Sequence, residues 1–337
     1  MTLRARLAAL ALAVGLASGV AACGHRGPDA GAVDDGPQVR LDNLNRQDVR
    51  VADVAWRLAL ANAELCPVNR LRAGWTLQSA SQYGSELRPL AESRYGLDGD
   101  LPGILAVPRG APAAVAGLQP GDLILSVNGQ LLQRGTGAAE SYDGLQANID
   151  VLDQALARGR VELQVRRDGS ERFVALRPVQ ACAYSTQVLV ADTLSGSADG
   201  RHIFIPAGMA NLAASEDQLA FVLAHELAHA VLEHRTQREV TGVRGASNWA
   251  ISMRRGLSLS AEADADRMGV FLAARAGFDP YAALEFLTLL EQADPGVRFI
   301  QVNFGGIYEP APVRRRTLAS VLADITERRE TGRALIP

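Results

Sequence analysis

Residues 224–234 read AHELAHAVLEH, three histidines and two glutamates inside an otherwise alanine- and leucine-rich segment. A buried polar group left without a partner costs about 1–3 kcal/mol, and a metal ion would satisfy several of these groups at once. The segment is preceded by Ser215-Glu216-Asp217-Gln218, a capping-box pattern that predicts a helix over about 215–236. On that helix, at about 100° per residue, Leu219, Val222, Leu223, Leu227, Ala230 and Val231 make one apolar stripe. His225 and His229 fall one turn apart on the face beside it, and Glu226 borders that face. Two imidazoles can then meet one ion while the carboxylate reaches water bound to it, the H-E-x-x-H chemistry of metal-assisted hydrolysis. His234 points to the far side and reads as a core histidine with a local hydrogen-bond partner.

Such a site needs a third ligand. Residues 260–269, SAEADADRMG, place Glu262 and Asp266 at i and i+4 on a second helix opened by Ser258 or Ser260. Glu262 would complete a His, His, Glu set with one position open for water, and Asp266 would orient a ligand histidine through its other ring nitrogen. Asp264 lies on the opposite side and reads as a solvated charge. The longer motif in which a third histidine comes from the same stretch needs glycine and histidine where Leu232 and Arg235 stand, so it is excluded. No G-x-S-x-G stretch supplies a serine nucleophile.

The elements that must hold these residues are mostly helical. Apolar periodicity predicts helices at about 48–64, 215–236, 260–276, 281–293 and 312–329. Between about 86 and 179 the texture changes to short alternating strands with glycine- and proline-bearing turns. The stretch GILAVPRGAPAAVAGLQPGDLILSVNGQLL, residues 103–132, resembles PDZ domains of bacterial envelope proteases. By that resemblance LQANIDVLDQALA is the groove helix, VELQVRRDGSERFVALRP the closing hairpin, and the carboxylate-binding loop lies near RYGLDGDLPG. The expected fold class is therefore α+β, a mainly helical domain with a small edge sheet over 41–85 and 180–337, interrupted by a β-rich PDZ domain over 86–179.

H-E-x-x-H followed by Glu262, Ala265 and Asp266 as E-x-x-A-D resembles the HtpX-like and CAAX-prenyl-protease-like gluzincin metallopeptidases. The resemblance implies one zinc held by His225, His229 and Glu262, with Glu226 as general base and Asp266 behind the ligands. It also implies that the strand in RHIFIPAG, residues 201–208, is an edge for extended substrate. This chain departs from the family pattern at Ser195-Gly196, where relatives carry Asn-Ala. It departs again at Glu309-Pro310, where relatives carry His-Pro six residues before an arginine, here Arg315. Arg315 or Tyr308 is left as the transition-state donor.

The remainder places the molecule. The first 23 residues combine two arginines, a short apolar run and VAAC, the pattern of a lipoprotein signal peptide ending at a lipidated Cys23. Gly24 after it favours the outer membrane. Residues 24–40, rich in Gly, Pro and Asp, read as a flexible tether. Of three cysteines, spending Cys23 on lipid leaves Cys66 and Cys182 to pair in an oxidising compartment. A formal net charge of −3 gives no footprint for nucleic acid. The expectation is a periplasm-facing lipoprotein of the bacterial envelope, a zinc endopeptidase whose partners are protein substrates and a PDZ ligand, a C-terminus or an extended strand. The alternative is a non-enzymatic PDZ adaptor or chaperone on a zinc-stabilised scaffold.

Overall fold

In a computed structural model of the chain, the residues described are 36–135, 140–189, 202–232, 259–293 and 311–337, with short pieces at 191, 193–194, 196–198, 301–303 and 306–308. Cys23, the signal segment, residues 24–35 of the tether, Ser195, His234, Arg235, Ser258, Glu309 and Pro310 lie outside the described residues.

Helix α1 runs Pro37–Ala61, opening with proline at the first helical position after Gly36. It starts eleven residues before the helix expected at 48, so residues 37–40 are helix and not tether. The cause is a contact that local periodicity does not announce. Leu41 is buried in a small cluster with Ala80, Tyr83, Ala91 and Leu97, which extends the helix towards its N-terminus.

The chain then leaves through β1 (Asn69–Arg72) into the β-rich module. Its elements are β2 (Thr76–Gln78), α2 (Arg88–Tyr95), β3 (Gly103–Ala106), α3 (Pro112–Val115), β4 (Leu123–Val127), β5 (Gln130–Leu131), α4 (Asp143–Leu156), β6 (Val161–Arg167) and β7 (Ser170–Leu176). The sheet order is β2-β3-β4-β6-β7, with β5 paired to β4. Strand β2 puts the start of this sheet before residue 86. Ile104, Leu123, Ile124, Leu163, Val165 and Leu176 from the strands bury against Leu152 and Leu156 of α4. The chain returns through β8 (Val179–Cys182), which pairs antiparallel with β1 from Asn69↔Cys182 to Arg72↔Val179. Beside this two-stranded stem a Cys66–Cys182 disulfide, with Cα atoms 5.6 Å apart, fastens the outgoing and returning chains.

The rest of the chain comprises β9 (Ser185–Leu189), β10 (Ser197–Ala198), β11 (His202–Pro206), α5 (Ala207–Leu212) and α6 (Glu216–Val231). After these come α7 (Leu259–Arg275), α8 (Ala282–Ala293), the hairpin β12 (Gln301–Asn303) and β13 (Gly306–Tyr308), and α9 (Ala311–Thr331). Helices α1, α6, α7, α8 and α9 share one core, built on residues such as Leu58, Leu223, Leu272, Phe286, Leu287 and Leu318. The small sheet has the order β10-β11-β9, with β10/β11 antiparallel and β11/β9 parallel. This corrects one expectation: β11, the strand of RHIFIPAG, is central and paired on both sides, so among the described residues the terminal strands of the sheet are β10 and β9. Among the described residues, no helix is long and apolar enough to cross a membrane.

Candidate metal centre

The N-terminus of α6 is fixed by Ser215, whose Oγ accepts the Gln218 backbone N–H at 3.2 Å. Gln218 Oε1 reaches back to Ala214 N–H at 2.8 Å, one residue earlier than a capping box requires. From Gln218 to His229 every residue of α6 is buried, so the helix is enclosed rather than amphipathic. That burial is what forces its polar groups to find partners.

The second helix comes in close because of Gly269. A Cβ there would lie 3.0 Å from both Cα and N of His225, tighter than ordinary packing, so glycine lets α7 settle on the α6 backbone without a shift of either helix. One turn and two turns earlier on the same face, Asp266 and Glu262 reach the histidines. His225 Nδ1 lies 2.9 Å from Asp266 Oδ1. With Nδ1–H donating there, the Nε2 lone pair is turned towards the ligand position. His225 Nε2, His229 Nε2 and Glu262 Oε2 then form a triangle with sides of 3.2, 3.3 and 3.5 Å. Four ligands placed tetrahedrally about 2.0–2.2 Å from zinc stand roughly 3.3–3.6 Å from one another. Glu262 Oε2 is buried and meets no hydrogen bond of good geometry, only the two imidazole nitrogens. The donor set, its spacing and this orphaned oxygen all fit a zinc ion, with the fourth position left open.

The electrostatics are those of a crowded, dry site, in which the polar side chains are 2–8 % exposed. Burial works against a charge on His225, but Asp266 and Glu262 outweigh it and push the imidazole up to about 10. Burial likewise would lift Glu262, yet the two histidines hold it down to about 2. Burial pushes the Glu226 carboxyl up, with His225 and His229 pulling the other way. That suits a group that must take a proton near neutral pH. Burial would also raise Asp266, and Arg314 overcomes it, holding the carboxyl well below the usual range.

Arg314 was not expected here. Its Nε donates to Asp266 Oδ2 and its Nη2 to Asp266 Oδ1, both at 2.7 Å, and the guanidinium is buried. Arg315, the residue chosen from sequence, points about 100° away around α9 and donates to Glu291 at 2.6 Å. The structure therefore does not bring Arg315 to the site. The missed signal is periodicity: Arg314 precedes Leu318, Leu322 and Ile325, all buried, at helical spacing, so it lies on the stripe of α9 that faces the core. Tyr308 ends β13, which packs near α7, but its side chain is outside the described residues. Asp264 is exposed, as a solvated charge should be. On the opposite flank, Gly196 lies against the general-base candidate. A Cβ at 196 would stand 2.6 Å from Glu226 Oε1, so the chain entering β10 runs directly beside that carboxylate.

Residues 184–249 match Peptidase family M48, and residues 103–167 match a PDZ domain. The chain thus carries a stretch similar to Peptidase family M48 after a stretch similar to a PDZ domain. The M48 match runs from β9 through the H-E-x-x-H helix, while Glu262, Asp266 and Arg314 lie beyond it and are placed by geometry. The mitochondrial metalloendopeptidase OMA1 of Bos taurus is 32 % identical over 120 residues, covering 27 % of this chain and 23 % of that protein. The likeness thus spans less than a quarter of that relative's length. A solved structure of the HtrA-type protease AlgW with a decapeptide is 25 % identical and covers 33 % of this chain and 29 % of that one, with a TM-score of 0.23.

Proposed function

We propose that this M48–PDZ chain is a zinc-dependent endopeptidase, acting on protein or unfolded polypeptide substrates that its PDZ domain captures or gates. The observation that carries the reading is the triangle of His225, His229 and Glu262 donors at the edge lengths of a tetrahedral zinc site, with Glu226 beside it. Zinc held there supplies Lewis-acid polarisation of a carbonyl oxygen and acidifies water. Glu226 takes the proton of the attacking water and passes it to the departing amine nitrogen. Asp266, fixed by Arg314, keeps His225 in the tautomer that offers Nε2. The backbone entering β10 borders Glu226, and β10 is a terminal strand among the described residues, so it is the strand against which an extended substrate lies.

The same reading places the mature chain on the periplasmic side of a bacterial envelope, held by lipid on Cys23, in support of which stand the N-terminal pattern and the Cys66–Cys182 disulfide. Metal analysis of the full chain should give one zinc per molecule. Glu226→Gln should keep that zinc and lose proteolysis of an unfolded protein such as casein. Zinc with no turnover in the wild type would instead establish the adaptor alternative.

A further inference from the structure

A cavity of about 1250 Å³ lies between the PDZ domain and the peptidase sheet, away from the zinc ligands. One wall is the PDZ domain's own. Helix α4 turns Gln146, Ile149 and Asp153 into it, at the spacing of one helix face, and β2, the terminal strand of that sheet, supplies Thr76 and Leu77. The facing wall belongs to the peptidase: β9 supplies Thr186 and Gln187, and α1 supplies Asp48 and Ala52. Strand β9 is also terminal, at the end of its sheet opposite β10. Its Val188 N–H donates to the Asp48 carboxylate, a side chain standing where a further strand would pair. Two polar contacts bridge the walls. Gln187 Nε2 donates to Tyr142 Oη at 2.7 Å, and His202 Nε2 lies 3.4 Å from Gln146 Oε1.

Two strand ends from two different sheets therefore border one space. A terminal strand is a template for main-chain pairing, and the cavity exceeds the roughly 300–1000 Å³ typical of small-molecule pockets. We propose that this cavity seats an extended polypeptide segment gripped from both sides at once, by β2 and α4 of the PDZ domain and by β9 of the peptidase sheet. The peptidase then co-determines what the PDZ domain captures. Because β9 is joined through β11 to β10 beside Glu226, the captured segment extends the sheet whose other edge borders the general base. The proposal rests on the protease reading only in naming the segment as substrate.

The test uses the full-length zinc-loaded chain carrying Glu226→Gln and reduced, carboxymethylated α-lactalbumin as a permanently unfolded probe. A photo-crosslinking benzoylphenylalanine is placed at Gln187 on the peptidase wall, at Ile149 on the PDZ wall, or at Phe173, exposed on β7 at the sheet's other end. Crosslinks from Gln187 and Ile149, both lost on adding unlabelled probe and absent at Phe173, are expected. Crosslinks from one wall only, or from neither, overturn the proposal. Cleavage of the same probe by the wild type is read in parallel. Crosslinks from both walls without cleavage would remove the protease reading and leave the cleft, and cleavage with crosslinks from Ile149 alone would do the reverse.

Discussion

Arg314→Leu isolates the buried support of the metal site. Asp266 and Arg314 are 2 % and 7 % exposed, and the pair is joined by two hydrogen bonds of 2.7 Å. Removing the guanidinium leaves a carboxylate with no water to replace its partner. Breaking such a buried pair from one side costs about 3–5 kcal/mol. For a chain of this size that is a fall in midpoint of about 4–7 °C, read by thermal or denaturant unfolding of the metal-free protein. Asp266 also positions His225, and losing a support of that kind lowers metal affinity about 10–100-fold, read by competition with a chromophoric chelator. Adding Asp266→Asn should restore much of the lost stability, because no charge is then stranded, but not the zinc affinity. Arg315→Leu is the control. Its contact with Glu291 is partly exposed, at 30 % and 15 %, and its loss should cost about 1 kcal/mol or less, with zinc affinity unchanged. If Arg314→Leu behaves like Arg315→Leu in both assays, the assigned role of the α9 guanidinium is wrong.

Gly269→Ala should lower zinc affinity although alanine gains about 1 kcal/mol of helix propensity, since the new Cβ meets His225 backbone at 3.0 Å and must lift Glu262 away with α7; an unchanged affinity in the chelator assay would show slack between the helices. Burial pushes the Asp48 carboxyl up to about 7, against the pull of the Val188 N–H. Its folded pKa thus exceeds the unfolded value of about 4, so its favourable contribution is complete below that value and is lost as pH rises through about 7. Asp48→Asn, whose amide oxygen can still accept from Val188, should therefore gain in melting temperature over the wild type at pH 8 and not at pH 4, and parallel curves would refute this. Replacing Cys66 and Cys182 together by serine and alanine should cost about 4–5 kcal/mol in the chain-entropy account, as the bond closes a sequence separation of 116; denaturant midpoints with and without reductant decide it.

What could be read from the sequence was whatever depends on spacing along one element. His225 and His229, or Glu262 and Asp266, lie one turn apart whatever else the chain does, and their helices fix which pairs share a face. The turn chemistry of the PDZ stretch is equally local: Asn128 and Gly129 both take positive φ, as the NG pair between β4 and β5 predicts. What could not be read depends on how elements meet. The start of α1 is decided by Leu41 docking on residues 80–97, and the central place of β11 by strands on both sides, β10 antiparallel to it and β9 parallel. Choosing between Arg314 and Arg315 in a run of three arginines requires knowing which face of α9 reaches α7. Gly269 carries no chemistry of its own, and its use appears only when the second helix is laid against the first.

The charges of the site tie these pieces together. Glu226, Glu262 and Asp266 bring three carboxylates into a region that admits almost no water, and Arg314 returns one positive charge, which leaves two negative charges uncompensated when the imidazoles are neutral. Burial works against a charge on both groups, yet Asp266 and Glu262 push the His225 imidazole up to about 10, while the Glu226 carboxyl is raised by that burial. A divalent cation held by His225, His229 and Glu262 would supply the two missing charges. The same imbalance explains why the site sits between helices locked by Gly269 and Arg314 rather than on a loop. The ligand triangle, one carboxylate and two imidazoles with sides of 3.2–3.5 Å, keeps its shape because α6 and α7 are packed together around it.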